Sequence, residues 1–156
     1  MIHAEDKNRK TLSHLVDFVN NPKTAECRPD QIWSDTFVEK RHWPFQKGTG
    51  REGPVFLHTP MLIVAFVIMM DEIHEAFSDY CLEMPLIILE DDDAAVRMVM
   101  TGTHTAPFQG ISPTGRKVRW EVLAHIKFKD GLIEEQETFR DWMELMSQLQ
   151  WPASTH

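Results

Sequence analysis

The chain is poor in cysteine and has no long apolar run, and both shortages exclude whole classes of protein. Its 156 residues include two cysteines, Cys27 and Cys81, which rules out a disulfide framework and a cysteine-rich zinc site. The longest apolar run, Met61 to Met70, is half the length of the roughly 20 residues that a membrane-spanning helix needs. The N-terminus is polar, without the apolar core of a signal peptide. We therefore expect a soluble, cytoplasmic protein with one domain over residues 1–156.

Positive charge is also scarce. Lys and Arg together number 16 against 24 Asp and Glu, which gives a net charge of −8. Because binding to a phosphate backbone needs clustered basic residues and no long basic run exists, nucleic acid is not an expected partner. The eight His residues are scattered along the chain, with no closely spaced pair. We therefore predict no metal site.

Helical spacing of apolar residues marks the first half of the chain. It predicts helices over residues 10–20 and 30–38, and a third over 60–76 that is apolar enough to be covered on most sides. Thr59-Pro60 has the sequence of an N-cap followed by proline at the first helical position. Five glycines and prolines between residues 39 and 58 predict a long loop. Apolar spacing from Trp142 to Leu149 predicts a C-terminal helix.

The second half of the chain is rich in β-forming residues. Runs over 82–90, 94–104, 117–128 and 132–140 predict four strands, with turns at the Asp91 run and at Asp130-Gly131. The third run alternates strictly, with apolar side chains from Val118 to Phe128 on one face and Leu123 as the exception. Helices followed by such a meander indicate an α+β fold, a curved antiparallel sheet wrapped over N-terminal helices. A pocket for a small molecule is expected between the two layers.

Several polar and aromatic residues are candidates for that pocket. His104 lies among small residues at a strand end, where it would either reach the pocket or hydrogen-bond the following loop. Trp33 and Trp120 are expected in the core, whereas Trp43, in the loop rich in glycine and proline, would form a lid. In the last strand, alternation places Gln136, Thr138 and Arg140 on one face and Ile133 with Phe139 on the other. Neither face is clearly apolar, so this strand does not show which face is inside.

Several segments together resemble the SnoaL-like polyketide cyclase family of the nuclear-transport-factor-2-like superfamily, over about residues 10–150. The resemblance is strongest in one stretch with the family pattern G-T-H-T-x-x-F-x-G-I-x-P-T-G-R, here Gly102-Thr103-His104-Thr105, Phe108, Gly110-Ile111 and Pro113-Thr114-Gly115-Arg116. The resemblance implies a cone-shaped fold with an internal pocket, a homodimer, and cofactor-free ring closure by a carboxylate base and a partner His. An ungapped alignment from Asp130-Gly131 places Thr138 at the base position and Ala124 at the partner position.

The resemblance thus implies binding of a small, largely apolar carbonyl compound, but without the usual catalytic pair. A base from elsewhere is needed if the protein is an enzyme, and the candidates are His104, His42, Asp141 and Glu137. The substrate pocket is expected to include Trp33, Phe37, Trp43, Trp120, Ala124, Gln136 and Thr138. Two hypotheses remain open: a cofactor-free cyclase or isomerase, and a non-catalytic module of the same fold that binds a ligand or serves in assembly.

Overall fold

A six-stranded curved sheet with three α-helices forms the fold in the computed structural model, which describes residues 3–41, 55–58 and 61–150. The helices are α1 (Ala4–Asn20), α2 (Met61–Ala76) and α3 (Trp142–Gln150), with a short 3₁₀ turn at Pro29–Gln31. The strands are β1 (Trp33–Arg41), β2 (Val55–His58), β3 (Cys81–Glu90), β4 (Asp93–Thr103), β5 (Lys117–Lys129) and β6 (Leu132–Arg140). The predicted α+β class is confirmed.

The sheet has the strand order β2-β1-β6-β5-β4-β3. All neighbours pair antiparallel except β1 and β6, which pair parallel, so the sheet is mixed rather than wholly antiparallel. The β5–β6 hairpin turns at Asp130 and Gly131, whose φ angles of 54° and 81° fit the tight turn expected there. The inner face of β5, from Val118 to Phe128, is buried as the alternation predicted, and Leu123 is exposed on the other face.

The helix predicted over residues 30–38 is wrong. A 3₁₀ turn precedes strand β1, and an irregularity in pairing between Trp33 and Val38 interrupts its register with β6. Trp33 and Phe37 are both buried in the core. Their separation in the sequence is compatible with one face of a helix and also with this interrupted strand. Pairing with β2 and β6 decides the outcome, because a short apolar run does not by itself distinguish the two structures. The loop predicted over residues 39–58 is also wrong at both ends, since β1 continues to Arg41 and strand β2 occupies Val55–His58.

Helix α2 is more exposed to solvent than predicted. The helix was expected to be covered on most sides, but Val64 and Ile68 on one side are 59% and 55% exposed. The opposite side, with Phe66, Met70 and Ile73, packs into the core. The Thr59-Pro60 N-cap lies outside the described residues. No helix in the described ranges is long and apolar enough to cross a membrane.

Candidate functional site

A cavity of about 80 Å³ lies between the helices and the inner face of the sheet. Its wall is largely aromatic and aliphatic, because α1, α2, β4 and β5 all turn apolar faces toward it. Four methionines contribute to this wall: Met69, Met70, Met98 and Met100. The cavity is smaller than the roughly 300–1,000 Å³ of common ligand pockets. Methionine side chains adapt readily to different shapes, so this wall can yield to a larger occupant.

Polar side chains gather at one part of the lining, where β1 and β6 run side by side. Gln136, Thr138 and Arg140 project from β6, Glu39 projects from β1, and Asp141 follows the end of β6. Glu39 is the register partner of Gln136 and is 5% exposed. The guanidinium Nη2 of Arg140 lies 3.8 Å from Glu39 Oε1. The lining therefore contains a buried carboxylate beside a cation, in a polar region that faces largely apolar walls.

Thr138 presents a hydroxyl that the other described residues leave without a hydrogen bond. The residue is 1% exposed, and its Oγ1 has no hydrogen-bond partner among the described residues. A buried hydroxyl without a partner is unfavourable, because it loses its hydrogen bonds to water and gains none. Thr138 therefore offers a donor and an acceptor to an occupant of the cavity.

Two further lining residues, Asp141 and Tyr80, have contacts within the protein that account for their positions. Asp141 Oδ1 accepts a hydrogen bond of 2.9 Å from the backbone N–H of Glu144, which is the role of an N-cap for α3. Burial raises the pKa of Tyr80 well above its usual value. The Tyr80 ring packs against Trp120, with the ring centroids 6.0 Å apart.

Comparison with known proteins gives the family. The family model for SnoaL-like polyketide cyclases matches residues 63–149, which is more than half of the chain. The chain belongs to the SnoaL-like polyketide cyclase family. No curated protein sequence matches it.

Solved structures share the fold of this SnoaL-like chain. AclR from Streptomyces galilaeus, a proposed hydroxylase, has 22% identity and a TM-score of 0.72, and the match covers 96% of this chain and 89% of AclR. IdmH from Streptomyces antibioticus, a proposed polyketide cyclase, has 23% identity and a TM-score of 0.71, over 91% of this chain and 97% of IdmH. A SnoaL-like protein from Jannaschia sp. CCS1 has 19% identity and a TM-score of 0.68, over 94% and 93% of the two chains.

The segment of strongest SnoaL resemblance, residues 102–116, contains a loop that is closed by the segment's own hydrogen bonds. The backbone N–H of His104 donates to the Arg116 carbonyl at 2.9 Å, and Gly115 N–H donates to the His104 carbonyl at 2.8 Å. Thr103 hydrogen-bonds the Asp79 carboxylate through both its backbone N–H and its hydroxyl. A side chain at Gly102 would place its Cβ 2.8 Å from Phe77 Cβ, so glycine is needed for this close approach. These contacts explain the motif through packing.

His104 itself is fully buried and is not part of the cavity lining. Its Nδ1 accepts a hydrogen bond of 3.2 Å from the Thr114 backbone N–H and lies 3.1 Å from the Thr114 hydroxyl. Burial lowers the pKa of His104, so the ring is neutral at physiological pH. Of the two roles left open by the sequence, these contacts favour the one in which His104 holds the following loop.

The other sequence-predicted site residues divide into three groups. Those that the structure brings together around the cavity are Trp33, Phe37, Trp120, Gln136, Thr138 and Asp141. Ala124 is buried beside Thr138, its register partner, but is not part of the lining. His42 and Trp43 lie outside the described residues. Within the described ranges, no three His, Cys, Asp or Glu side chains come together as metal ligands.

Sequence reasoning missed Glu39 and the inward position of Arg140. Glu39 was assigned to a loop because the preceding segment was interpreted as a helix. The faces of β6 were ambiguous because its pairing with β5 is irregular between Lys127 and Phe128, which breaks the alternation near Glu134. Buried Ile133 is therefore not on the same face as exposed Phe139. The sequence did contain a signal for Glu39. Trp33, Phe37 and Glu39 are separated by even numbers of residues, which is the spacing of side chains on one face of a strand.

Proposed function

We propose that this chain binds a small, largely apolar carbonyl compound in its cavity and performs cofactor-free acid–base chemistry on it, as a cyclase or isomerase. The observation that carries the proposal is the cavity lining, in which an apolar wall meets one polar region on β1 and β6. An apolar chamber excludes water and strengthens every charge interaction inside it. Hydrogen-bond donors in such a chamber stabilise the negative oxygen of an enolate as it forms.

Membership of the SnoaL-like family, and the presence of IdmH, a proposed polyketide cyclase, among the structural relatives, support a cyclase-type reaction. Asp141, Glu137, His42 and His104 remain the sequence-based candidates for proton transfer. Of the three that the structure describes, Asp141 lines the cavity, and Glu137 and His104 do not. The pocket residues Trp33, Phe37 and Trp120 would contact the apolar part of the ligand. The remaining sequence-predicted pocket residues are Trp43, Ala124, Gln136 and Thr138.

A second candidate function, a binding module without catalysis, has one observation in its favour. The resemblance places the family's catalytic Asp and partner His at Thr138 and Ala124, and these two residues are register partners on β6 and β5. The expected pair of positions is thus adjacent on the inner face, but it carries no ionisable group. Ligand binding without turnover is the outcome that this hypothesis predicts.

Ligand binding can be tested by filling the cavity. Val122→Phe adds volume at a lining position, and Val64→Phe makes the same substitution at an exposed position of α2. Binding of ethyl 3-oxohexanoate is followed by tryptophan fluorescence, since Trp33, Trp120 and Trp142 line the cavity. We expect the ester to bind the wild type and Val64→Phe, and to bind Val122→Phe at least tenfold more weakly. Equal affinity for all three proteins, or no binding to the wild type, would contradict the proposal.

The homodimer and the cytoplasmic location implied earlier are part of the same proposal. An outer stripe crosses the sheet through four strands, because the register partners run from Leu86 to Arg97, then to Leu123 and then to Phe139. The three apolar residues of this stripe, Leu86, Leu123 and Phe139, are about half exposed. A second copy of the chain would cover this stripe. Sedimentation should show a wild-type dimer and a folded monomer for Leu123→Asp, whereas a monomeric wild type would refute the dimer.

A further inference from the structure

We infer that Glu39 is the catalytic base, and that Thr138 and Arg140 bind the carbonyl oxygen of a substrate with an acidic C–H next to that carbonyl. This inference rests on the proposed function, because it assumes that a carbonyl compound enters the cavity. It assigns the missing base to β1, a strand that contributes neither of the positions where the resemblance places the usual pair.

Burial and position single out Glu39. Two carboxylates belong to the cavity lining of the described residues, Glu39 and Asp141. Asp141 is exposed and caps α3 through Oδ1. Glu39 is 5% exposed and belongs to the parallel β1–β6 pair. A base on a paired strand is held more rigidly than one at a strand end, and a rigid position favours repeated proton transfer in one geometry.

The groups near Glu39 suit the opposite end of an enolate. Arg140 lies 3.8 Å from Glu39 and brings a positive charge into the lining. Thr138 has a hydroxyl without a hydrogen-bond partner among the described residues, and Gln136 is the register partner of Glu39. A carboxylate and donors to an oxyanion therefore line the same region, as abstraction of a proton next to a carbonyl requires.

The chemical step balances without a further reactant. A Glu39 carboxylate oxygen takes the proton from the carbon next to the carbonyl, so the C–H bond breaks and an O–H bond forms. The electron pair of the broken bond forms the C=C bond of the enolate, and the carbonyl oxygen becomes negative. Thr138 and Arg140 donate hydrogen bonds to that oxygen. Return of a proton from Glu39 to carbon restores the carboxylate.

The test measures two quantities on the same proteins. The exchange of the C2 protons of ethyl 3-oxohexanoate for deuterium is followed by NMR at mildly acidic pD, where background exchange is slow. Binding of the same ester is followed by tryptophan fluorescence. Glu39→Gln keeps the shape of the side chain and removes the base, and Glu83→Gln makes the same change at an exposed position of β3.

We expect Glu39→Gln to bind the ester within about threefold of the wild type and to lose at least 100-fold of the protein-dependent exchange rate, as loss of a general base would cause. Glu83→Gln should match the wild type in both measurements. If Glu39→Gln is unfolded, Glu39→Asp, which keeps the charge but shortens the reach, should lose about tenfold.

The outcomes separate the inference from the proposed function. Unchanged exchange by a folded Glu39→Gln, or by Glu39→Asp, overturns the role of Glu39 while ester binding still supports the proposed function. Binding by the wild type without any exchange overturns the catalytic inference and favours the binding module. A wild type that does not bind the ester overturns both.

Discussion

Replacing Thr138 with valine is expected to change stability and ligand binding in opposite directions. Valine has nearly the shape of threonine, with a methyl group in place of the hydroxyl, and strand residues tolerate it well. Thr138 is 1% exposed, and its hydroxyl has no hydrogen-bond partner among the described residues. The variant therefore removes a buried polar group without breaking a hydrogen bond in the described part of the protein.

The size of the effect follows from that geometry. An unpaired buried polar group costs about 1–3 kcal/mol, and the methyl group recovers part of this cost while keeping the contacts of the side chain. We expect the free energy of unfolding to rise by about 1 kcal/mol, which corresponds to about 2–4 °C in Tm for a chain of this size. The hydrogen bond lost to a bound ester is worth about 0.5–1.5 kcal/mol, so affinity should fall about two- to tenfold.

Thr103→Val provides the matched control. Its hydroxyl donates to the Asp79 carboxylate at 2.9 Å, so the same replacement there breaks a hydrogen bond and should lower Tm. Thermal unfolding and a fluorescence titration with ethyl 3-oxohexanoate measure both effects. A Thr138→Val protein with a lower Tm and unchanged ester affinity would refute the reasoning, because it would show that the hydroxyl serves the protein and not the ligand.

Three other substitutions test the structural assignments. His104→Ala should lower stability by about 1–3 kcal/mol, because it leaves a backbone N–H unpaired. Burial lowers the pKa of His104 below 6.5, so its contribution to stability is full above pH 6.5 and declines as pH falls. Chemical denaturation should therefore show a flatter pH dependence for the variant, whereas ester binding lost at unchanged Tm would show that His104 serves ligand binding instead. Glu121 accepts hydrogen bonds from Arg97 and Arg119 that lower its pKa from 4.5 to about 2, so the wild type should lose stability as pH falls from 4.5 toward 2, and Glu121→Gln should lose less; identical acid transitions would contradict the ion pairs. Trp120→Ala should cost about 3–5 kcal/mol in chemical denaturation, because Trp120 is 8% exposed, and a cost below 1 kcal/mol would contradict its burial.

The sequence predicted most of the architecture because the long segments carried regular patterns. The alternation from Val118 to Phe128 identified both the strand and its buried face, and the apolar run at Met61–Met70 marked α2. The short segment around Trp33 was misassigned because its buried residues fit a helix and an interrupted strand equally well. Its strand structure depends on pairing with β6, in which Trp33 pairs with Ile133, 100 positions away in the sequence. Local spacing of apolar residues does not encode such a distant contact.

The candidate site was predicted in part for the same reason. Trp120, Gln136 and Thr138 were expected at the pocket and do line the cavity. Glu39 was missed because strand β1, which places it on the inner face of the sheet, was predicted as a helix followed by a loop. His104 was a candidate because it lies among small residues at a strand end and within the family motif, yet its described side-chain hydrogen bonds run to the loop at Thr114. A motif residue required for packing and one required for chemistry look alike in a single sequence.

The central claim, that the cavity holds a small apolar carbonyl compound, is tested most directly through the methionine methyl groups. Met69, Met70, Met98 and Met100 line the cavity, whereas Met143 is 61% exposed. In protein with ¹³C-labelled methionine methyl groups, titration with ethyl 3-oxohexanoate should shift the NMR signals of the four lining residues and leave Met143 unchanged. No shift at the lining methionines, or a shift confined to Met143, would contradict the claim.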